Sequence, residues 1–569
     1  MRRCFHWSAV QLVLPDTPQM RPANLRLMTR VLTGGKEEKG VAWDQGELKS
    51  SDKESERGWS WQLQTEADVV GKQRCRHHTS TMMPAILCLS LLTLLAEASP
   101  VPQNELFRYI DAHQDEYVQR LKEWVAIESD SSNPEKWPLV TDMMNVAKEM
   151  IKKMGGSVEM AELGDQELPN GQKIPLPPVI LAEIGSDPKK PTVCFYGHLD
   201  VQPAKMEDGW ATEPYTLEDK NGNLYGRGTS DDKGQVLALL HAIEAAQVNG
   251  LPVNVKLIIE GMEEVGSNGL DKLAEERKST FLGNVDYFVV TDIPWISNTP
   301  AITYGARGNC YFFLEVQGST RDLHSGTFGG SVHEAMSDLI YLLGTLADSS
   351  GRILIPGIYD AVAPLKEEEK KLYTNLTFNL DEYKVDAGAT KLLYDTKEDV
   401  LMHRWRYPSL SIHGIEGAFS GSGTKTVIPA KVIGKFSMRQ VPNMEPSVVE
   451  KQVTDYLNMK FAERNSPNKV KVTMVIGAKP WLSDMNEPQY LAAQRAVTKV
   501  FQVDADMIRA GATIPIAKSF HDLTGKSVML LGIGGPDDAS HGQNEKISRN
   551  NYLKGTKLYA VFLHELAAA

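Results

Sequence analysis

The chain has 569 residues, more than one hydrophobic core usually supports, so we expect two or more domains. It contains 61 Lys and Arg against 73 Asp and Glu, which gives a formal net charge of -12. This balance provides no electrostatic basis for binding nucleic acid or an acidic membrane surface, and we set both partners aside.

The first hundred residues differ from the rest of the chain. Residues 1–82 show no sustained helical or strand period. We interpret them as an unstructured upstream extension, with translation beginning at Met82 or Met83. Residues 83–98 hold an apolar run that follows basic residues and ends in small ones, which is typical of a secretory signal peptide. The run is shorter than the roughly 20 residues of a membrane span, and a buried apolar helix is the alternative interpretation.

The next two hundred residues alternate between helical and strand patterns. Apolar periodicity predicts helices over 105–129 and 143–154. Short apolar or β-branched runs then predict strands in VILAEI, TVCFYGHLD, KLIIEGMEE and DYFVVTD, with a helix in GQVLALLHAIEAAQ between the second and the third. This order predicts an α/β fold in which helices cover a sheet.

The pattern changes in the middle of the chain and returns near its end. Between 306 and 475, strand-like runs such as CYFFLEVQ, KVIGKFSMRQ and KVKVTMVI alternate with long helical stretches, which predicts an α+β insertion. Helices and strands alternate again over 476–569. We therefore predict a catalytic domain built from 103–305 and 476–569 and divided by a second domain.

Residues able to bind metal follow three of the predicted strands. His198 and Asp200 end the second strand, Glu263 and Glu264 the third, and Asp292 the fourth. Ligands of open α/β sheets bind beyond the carboxyl ends of the strands, so these side chains could meet in one crevice. Individually, a lone His is more often a hydrogen-bonded structural residue, and a Glu-Glu pair is usually solvated surface.

Two loops add further candidates. GRGTSDDKG carries Asp231 and Asp232 to the start of a helix, where an ordinary N-cap is the alternative role. His541 lies in the polar loop DDASHGQNEK near the end of the chain. Two His and several carboxylates suit Zn or Mn, and such an acidic cluster would repel itself without a cation. Together these residues predict a metal site.

The motifs YGHLDVQP, YGRGTSDDKG, IIEGMEEVGS, VVTD and SHGQNEK resemble, in order, those of the co-catalytic metallopeptidases that include aminoacylase and the carnosinases. The resemblance to the carnosinases runs from about 105 to 566 and includes HRWRYPSLSIHGIEGAFSGSG and KTVIPAKVIGKFSMRQVPNM. It implies a zinc-peptidase-like catalytic domain with a mixed sheet covered by helices. It also implies that 306–475 is a lid and dimerisation domain.

The resemblance also implies roles for individual residues. Two divalent ions, Zn or Mn, would be bound in each subunit, with Asp231 bridging them. The first ion would be held by His198, Asp231 and Asp292, and the second by Asp231, Glu264 and His541. Glu263 would be the general base, and Asp200 would orient His198.

Further residues are assigned to the substrate by the same resemblance. His324 in DLHSG corresponds to a family histidine that reaches into the site of the partner subunit, which implies a homodimer. Thr426, Arg439 and Thr513 correspond to positions that hold the substrate carboxylate, and an Arg offers the planar fork that suits this task. Gly542 departs from the family, where close relatives often carry Ser.

We therefore predict a secreted, metal-dependent dipeptidase. It would hydrolyse carnosine-like Xaa-His dipeptides with a water that bridges the two metals and is activated by Glu263. A cytosolic broad-specificity dipeptidase and an N-acyl-amino-acid deacylase are the enzymatic alternatives. A non-catalytic secreted binder of metal or peptide is the alternative from another class.

Overall fold

The computed structural model describes residues 103–168 and 171–569. The predicted upstream extension at 1–82 and signal peptide at 83–98 lie outside this part of the chain. Within the described part, no helix has both the length and the apolar character needed to cross a bilayer. Its α-helices are α1 (Gln103–Ala112), α2 (Gln114–Val125), α3 (Trp137–Lys153), α4 (Lys233–Gln247), α5 (Leu270–Arg277), α6 (Ser325–Phe328), α7 (Ala335–Gly344), α8 (Glu367–Asn375), α9 (Leu380–Asp386), α10 (Lys397–Trp405), α11 (Pro446–Arg464), α12 (Pro488–Phe501), α13 (Pro515–Thr524) and α14 (Arg549–Ala567).

The strands alternate with these helices along most of the described chain. They are β1 (Ser157–Ala161), β2 (Asp165–Glu167), β3 (Lys173–Pro175), β4 (Val179–Ile184), β5 (Thr192–His198), β6 (Glu218–Lys220), β7 (Asn223–Tyr225), β8 (Asn254–Glu260), β9 (Tyr287–Val290), β10 (Ala301–Ala306), β11 (Gly308–Gln317), β12 (Leu323–His324), β13 (Ser409–Glu416), β14 (Val427–Ile428), β15 (Lys431–Gln440), β16 (Lys469–Ala478), β17 (Trp481–Leu482), β18 (Asp506–Ala510), β19 (Ser527–Leu530) and β20 (Lys546–Ser548).

The first predicted helix is divided in two, and the second begins earlier than expected. The division falls at His113, whose Nδ1 contacts the Tyr109 carbonyl at 2.8 Å. The His113 amide donates instead to the Ile110 carbonyl, so the side chain takes the acceptor that the helix would have used. Helix α3 begins at Trp137, with a proline in its first turn, a position that proline favours.

A nine-stranded mixed sheet forms the larger layer of the fold. Its order is β1-β4-β8-β5-β9-β19-β10-β17, with β18 paired to β10. At its centre, β8, β5, β9 and β19 run parallel to one another, while β4 pairs antiparallel with β8 and with β1, and β10 pairs antiparallel with β19. Every residue of β5 and β8 is buried, as expected for strands covered on both faces. The predicted α/β class is confirmed.

Helices α4, α12 and α14 pack together on the sheet. All but two residues of α4 are buried, as expected for a largely apolar helix that lies inside a large core. The predicted helix in GQVLALLHAIEAAQ is α4, and α14 is the last of the helices expected over 476–569. This packing holds the amino end of α4, and the loop before it, against the carboxyl ends of the central strands.

A four-stranded antiparallel sheet is formed by the middle of the chain, in the order β13-β15-β11-β16. Phe312 and Phe436 stack in its core at a ring distance of 5.1 Å. The chain leaves the larger sheet after β10, enters the smaller one at β11, and returns from β16 to β17. The predicted strands of 306–475 are therefore present, while the division into domains at these boundaries stays a prediction.

Candidate metal centre

Three central strands bring their carboxyl ends to the same edge of the larger sheet. His198 is the last residue of β5, and Asp292 lies two residues after β9. Glu263 and Glu264 form a short 3₁₀ turn, Glu263–Val265, just beyond β8. Because β8, β5 and β9 are adjacent and parallel, these side chains meet at one edge, as expected from the strand order.

The side chain of Asp231 lies between two histidines. One of its oxygens is 3.1 Å from His198 Nε2, and the other is 3.1 Å from His541 Nε2. Asp292 lies 3.8 Å from His198 Nε2, and Glu264 lies 3.0 Å from His541 Nε2. Two sets of three possible ligands result, and they share Asp231.

These two sets fit divalent metal ions. Within each set the possible ligand atoms lie within 4.8 Å of one another, and imidazole with carboxylate is a donor combination that suits Zn or Mn. Burial, followed by the negative charge of Asp231, holds the pKa of Asp292 well above its usual range. A cation between these groups would favour the ionised form of Asp292 and relieve the repulsion.

Asp200 contacts both sides of the cluster. Its Oδ1 lies 3.3 Å from His198 Nδ1, and its carboxylate accepts hydrogen bonds from the amides of Glu263 and Glu264 at 3.2 and 3.1 Å. The backbone carbonyl of Asp200 is also 3.1 Å from His198 Nδ1. Asp200 is therefore able to orient the His198 ring and to anchor the turn that carries the two glutamates.

The carboxylate of Glu263 is kept free beside the two ligand sets. Within the described part of the chain, no hydrogen bond or ion pair engages its side-chain oxygens, while its amide is held by Asp200. Burial raises the pKa of Glu263 to about 7; nearby His198 opposes the increase, and the charge of Glu264 adds to it. A free carboxylate with a raised pKa is suited to accept and return a proton.

The N-cap alternative for the Asp231-Asp232 pair is wrong. Asp232 occupies the N-cap position of α4, but its side chain makes no capping hydrogen bond. Its Oδ2 instead accepts from the His198 amide at 3.2 Å and from Thr291 Oγ1 at 2.9 Å. Asp232 therefore links the ends of β5 and β9 beneath the cluster, while Asp231 points between the histidines.

Glu545 and Arg227 are functional candidates that the sequence did not reveal. The fully buried Glu545 carboxylate accepts the amides of Gly228, Ser230 and Asp231 at 2.9–3.0 Å. Arg227 donates to the same carboxylate at 2.6 Å and to the Gly542 carbonyl at 3.1 Å. The pair therefore joins the loop of Asp231 to the loop of His541. Arg227 lies inside the motif YGRGTSDDKG and Glu545 inside SHGQNEK. Membership of these motifs was the only signal in the sequence that pointed to either residue.

The predicted substrate residues are brought together in two pairs. Arg439 in β15 donates to Thr513 Oγ1 at 2.7 Å, which joins the smaller sheet to the loop before α13. His324 is exposed and follows Leu323 in β12, and the amide of Ser325 donates to the carbonyl of Thr426. Within the described residues, neither pair forms a hydrogen bond or ion pair with the metal ligands.

Comparison with known proteins identifies the family. A sequence profile of Peptidase family M20/M25/M40 matches residues 194–565. The chain belongs to this family. The resemblance to co-catalytic metallopeptidases and the zinc-peptidase-like sheet predicted from it are thereby confirmed.

Several members of the family are similar over nearly their whole length. The Beta-Ala-His dipeptidase of Mus musculus is 57% identical over 469 residues, which cover 82% of this chain and 95% of that protein. The Cys-Gly metallodipeptidase dug1 of Schizosaccharomyces pombe is 43% identical, with 82% and 98% covered. The crystal structure of human carnosine dipeptidase 1 is 55% identical, with a TM-score of 0.76 over 83% of this chain and all of that one.

The Glu545 carboxylate provides a test of the site. We expect Glu545→Gln to lower metal affinity by roughly tenfold to a hundredfold, since the amide cannot accept hydrogen bonds at both positions. Metal content measured by mass spectrometry during titration with a chelator reports the change. Glu565→Gln is the matched control, because it removes a carboxylate that pairs with exposed Arg495 and Lys499. Equal metal retention in the two variants would contradict a positioning role for Glu545.

Proposed function

We propose that this chain hydrolyses carnosine-like Xaa-His dipeptides. It is a metal-dependent dipeptidase, in keeping with its family and with curated relatives that are dipeptidases. The higher identity to the Beta-Ala-His dipeptidase than to the Cys-Gly metallodipeptidase favours a His in the second position. The observation that carries the proposal is the free Glu263 carboxylate beside two ligand sets that share Asp231.

Two divalent ions in each subunit, Zn or Mn, are part of this proposal. His198, Asp231 and Asp292 would hold one, and Asp231, Glu264 and His541 the other. When bound, the metals polarise the scissile carbonyl and increase the acidity of water. The contact of Asp231 with both histidines supports the shared role of its carboxylate.

Glu263 is the proposed general base. Its carboxylate is free to take a proton from the attacking water and to deliver it to the leaving amine. Asp200 would fix the turn that carries Glu263 through the two amide hydrogen bonds. Because burial raises the pKa of Glu263 to about 7, its carboxyl group can both accept and release a proton near neutral pH.

Arg439, Thr513 and Thr426 are the proposed residues for the substrate carboxylate. The hydrogen bond from Arg439 to Thr513 brings a guanidinium and a hydroxyl together, and no ion pair with an acidic residue occupies Arg439 in the described chain. A guanidinium binds a carboxylate through two parallel hydrogen bonds. An anchor for the free carboxyl end of the substrate favours short peptides. The competing activities are those of a broad-specificity dipeptidase and of an N-acyl-amino-acid deacylase.

Glu263→Gln tests the general base. We expect the variant to keep its metal and fold but to lose about a hundredfold to ten-thousandfold in kcat, because the amide keeps the shape and cannot accept the proton. The assay uses β-Ala-His, with Cys-Gly and an N-acetyl amino acid as competing substrates. Glu276→Gln, on the exposed surface of α5, is the control, and His541→Ala should lose metal as well. Near-normal turnover by Glu263→Gln would remove Glu263 from this role.

A homodimer is the proposed assembly, with 306–475 as the lid and dimerisation domain. His324 is exposed, and its Nδ1 accepts the Gly326 amide at 3.0 Å, which leaves Nε2 free. The ring has no bond to the metal ligands of its own chain within the described residues. A partner's site could therefore receive it, where an imidazole would stabilise the oxyanion of the transition state.

Mixing two inactive variants tests this shared site. His324→Ala and Glu263→Gln, combined under conditions that exchange subunits, should regain part of the activity on β-Ala-His. A mixed dimer holds one complete site, with Glu263 from the first variant and His324 from the second. Subunit exchange is followed with differently labelled chains. Demonstrated exchange without recovered activity would mean that each site is built within one chain.

Export is proposed on the basis of residues 83–98. N-terminal sequencing of protein collected from the medium should begin between Ala98 and Val101, because a signal peptidase cleaves after small residues. Cells expressing a version that lacks 83–98 provide the control and should retain the protein. Recovery of the full version only from cytosol, with its Leu-rich segment intact, would favour the cytosolic dipeptidase instead.

A further inference from the structure

A cavity of about 860 Å³ lies beside the smaller sheet, apart from the metal ligands. It is open to solvent on one side and is bounded by the start of β13, by α10, and by the segments that follow α7 and α9. Its volume falls in the range of small-molecule sites. None of the proposed metal or substrate residues belongs to its wall, which is formed by Arg307, Ser350, Gly351, Arg352, Tyr359, Tyr383 and the segments 391–394, 400, 403–404 and 407–411.

The wall of this cavity is basic, although the chain as a whole is acidic. Arg307, Arg352, Lys391 and Arg404 contribute four positive charges, and no Asp or Glu lines the cavity. Within residues 103–168 and 171–569, none of the four forms an ion pair. Charge of one sign around a cleft attracts ions of the opposite sign.

Arg404 has no acceptor for its donors in the described structure. Its guanidinium lies 4.8 Å from the centre of the Tyr383 ring and 5.8 Å from that of Phe378. These rings hold the planar group in place but satisfy none of its hydrogen bonds. Burial lowers the pKa of Arg404, as expected where a charge loses water without gaining a counter-ion.

Arg307 is held only by neutral groups. It donates to the carbonyls of Gly511 and His403 at 3.0 and 3.3 Å, and to Ser409 Oγ at 2.8 Å. Burial, followed by the charges of Arg439 and Arg404, lowers its pKa to about 9. The side chain is therefore fixed in position while its charge remains without compensation.

Two acidic residues whose charges act on Tyr394 of the wall, Asp348 and Asp399, are already engaged. The Asp348 carboxylate accepts from the amide and hydroxyl of Ser350 and from the Arg352 amide. Asp399 accepts from the Thr396 hydroxyl at the start of α10. Neither carboxylate belongs to the wall of the cavity.

We propose that this cavity binds a small organic anion that carries two or more carboxylate or phosphate groups. Arg404 and Arg307 would hold one group with planar donors, and Arg352 and Lys391 the other. The proposed peptidase chemistry is not needed for this inference, because binding depends on residues outside the metal cluster.

Calorimetric titration of the metal-loaded protein tests the proposal with two probes. Succinate, which carries two carboxylates, represents carboxylates, and fructose 1,6-bisphosphate, which carries two phosphate groups, represents phosphate esters. We expect at least one to bind, and Arg404→Gln to weaken it by roughly tenfold to a hundredfold. Lys391→Gln, on an exposed segment, should weaken it as well. Arg495→Gln removes the same charge from an exposed ion pair and should leave binding unchanged.

The possible outcomes separate a distinct anion site from the substrate site. Binding of either probe or both, weakened by both variants, supports the proposal, and the tighter probe identifies the preferred chemical group. The proposal is overturned if neither probe binds at millimolar concentration, or if both variants bind like the Arg495 control. Loss of probe binding when Glu263→Gln is saturated with β-Ala-His would also overturn it, because the cavity would then belong to the dipeptide site.

Discussion

The carboxylate of Asp231 lies between two imidazoles, with one oxygen facing each. This arrangement requires that three segments distant in sequence meet within about one side-chain length: the end of β5, the loop before α4, and the loop before β20. The buried Glu545 carboxylate and Arg227 hold the two loops together from behind. Because these groups bond to backbone amides and a carbonyl, they restrain the main chain that carries the ligands.

Acidic charge is concentrated at this edge of the larger sheet. Burial would raise the pKa of Asp231, but hydrogen bonds from His198 and His541 hold it below its usual range. Burial and neighbouring carboxylates have the opposite effect on Asp292. Opposite shifts in adjacent carboxyl groups are characteristic of a functional site, and here a cation would stabilise the ionised form of both.

Arginine side chains lie apart from this acidic edge, along the smaller sheet. Arg439 contacts Thr513 and thereby joins this sheet to the segment before α13. Arg307 reaches the same segment through the Gly511 carbonyl. The residues proposed for anion recognition and those proposed for metal binding therefore lie in different layers of the fold, and a peptide held by its carboxylate would extend from one layer toward the other.

The sequence by itself determined the α/β class, the central strands and the individual candidates for metal binding, because buried strands and polar strand ends leave local patterns. The resemblance to metallopeptidases added roles to those residues. Only the tertiary structure decided that Asp232 links two strands instead of capping α4, that Glu545 and Arg227 support the cluster, and that His113 divides the first helix. Each of these depends on which donor and acceptor meet in space, and contacts between residues as far apart as 227 and 545 leave no periodic signal in the sequence.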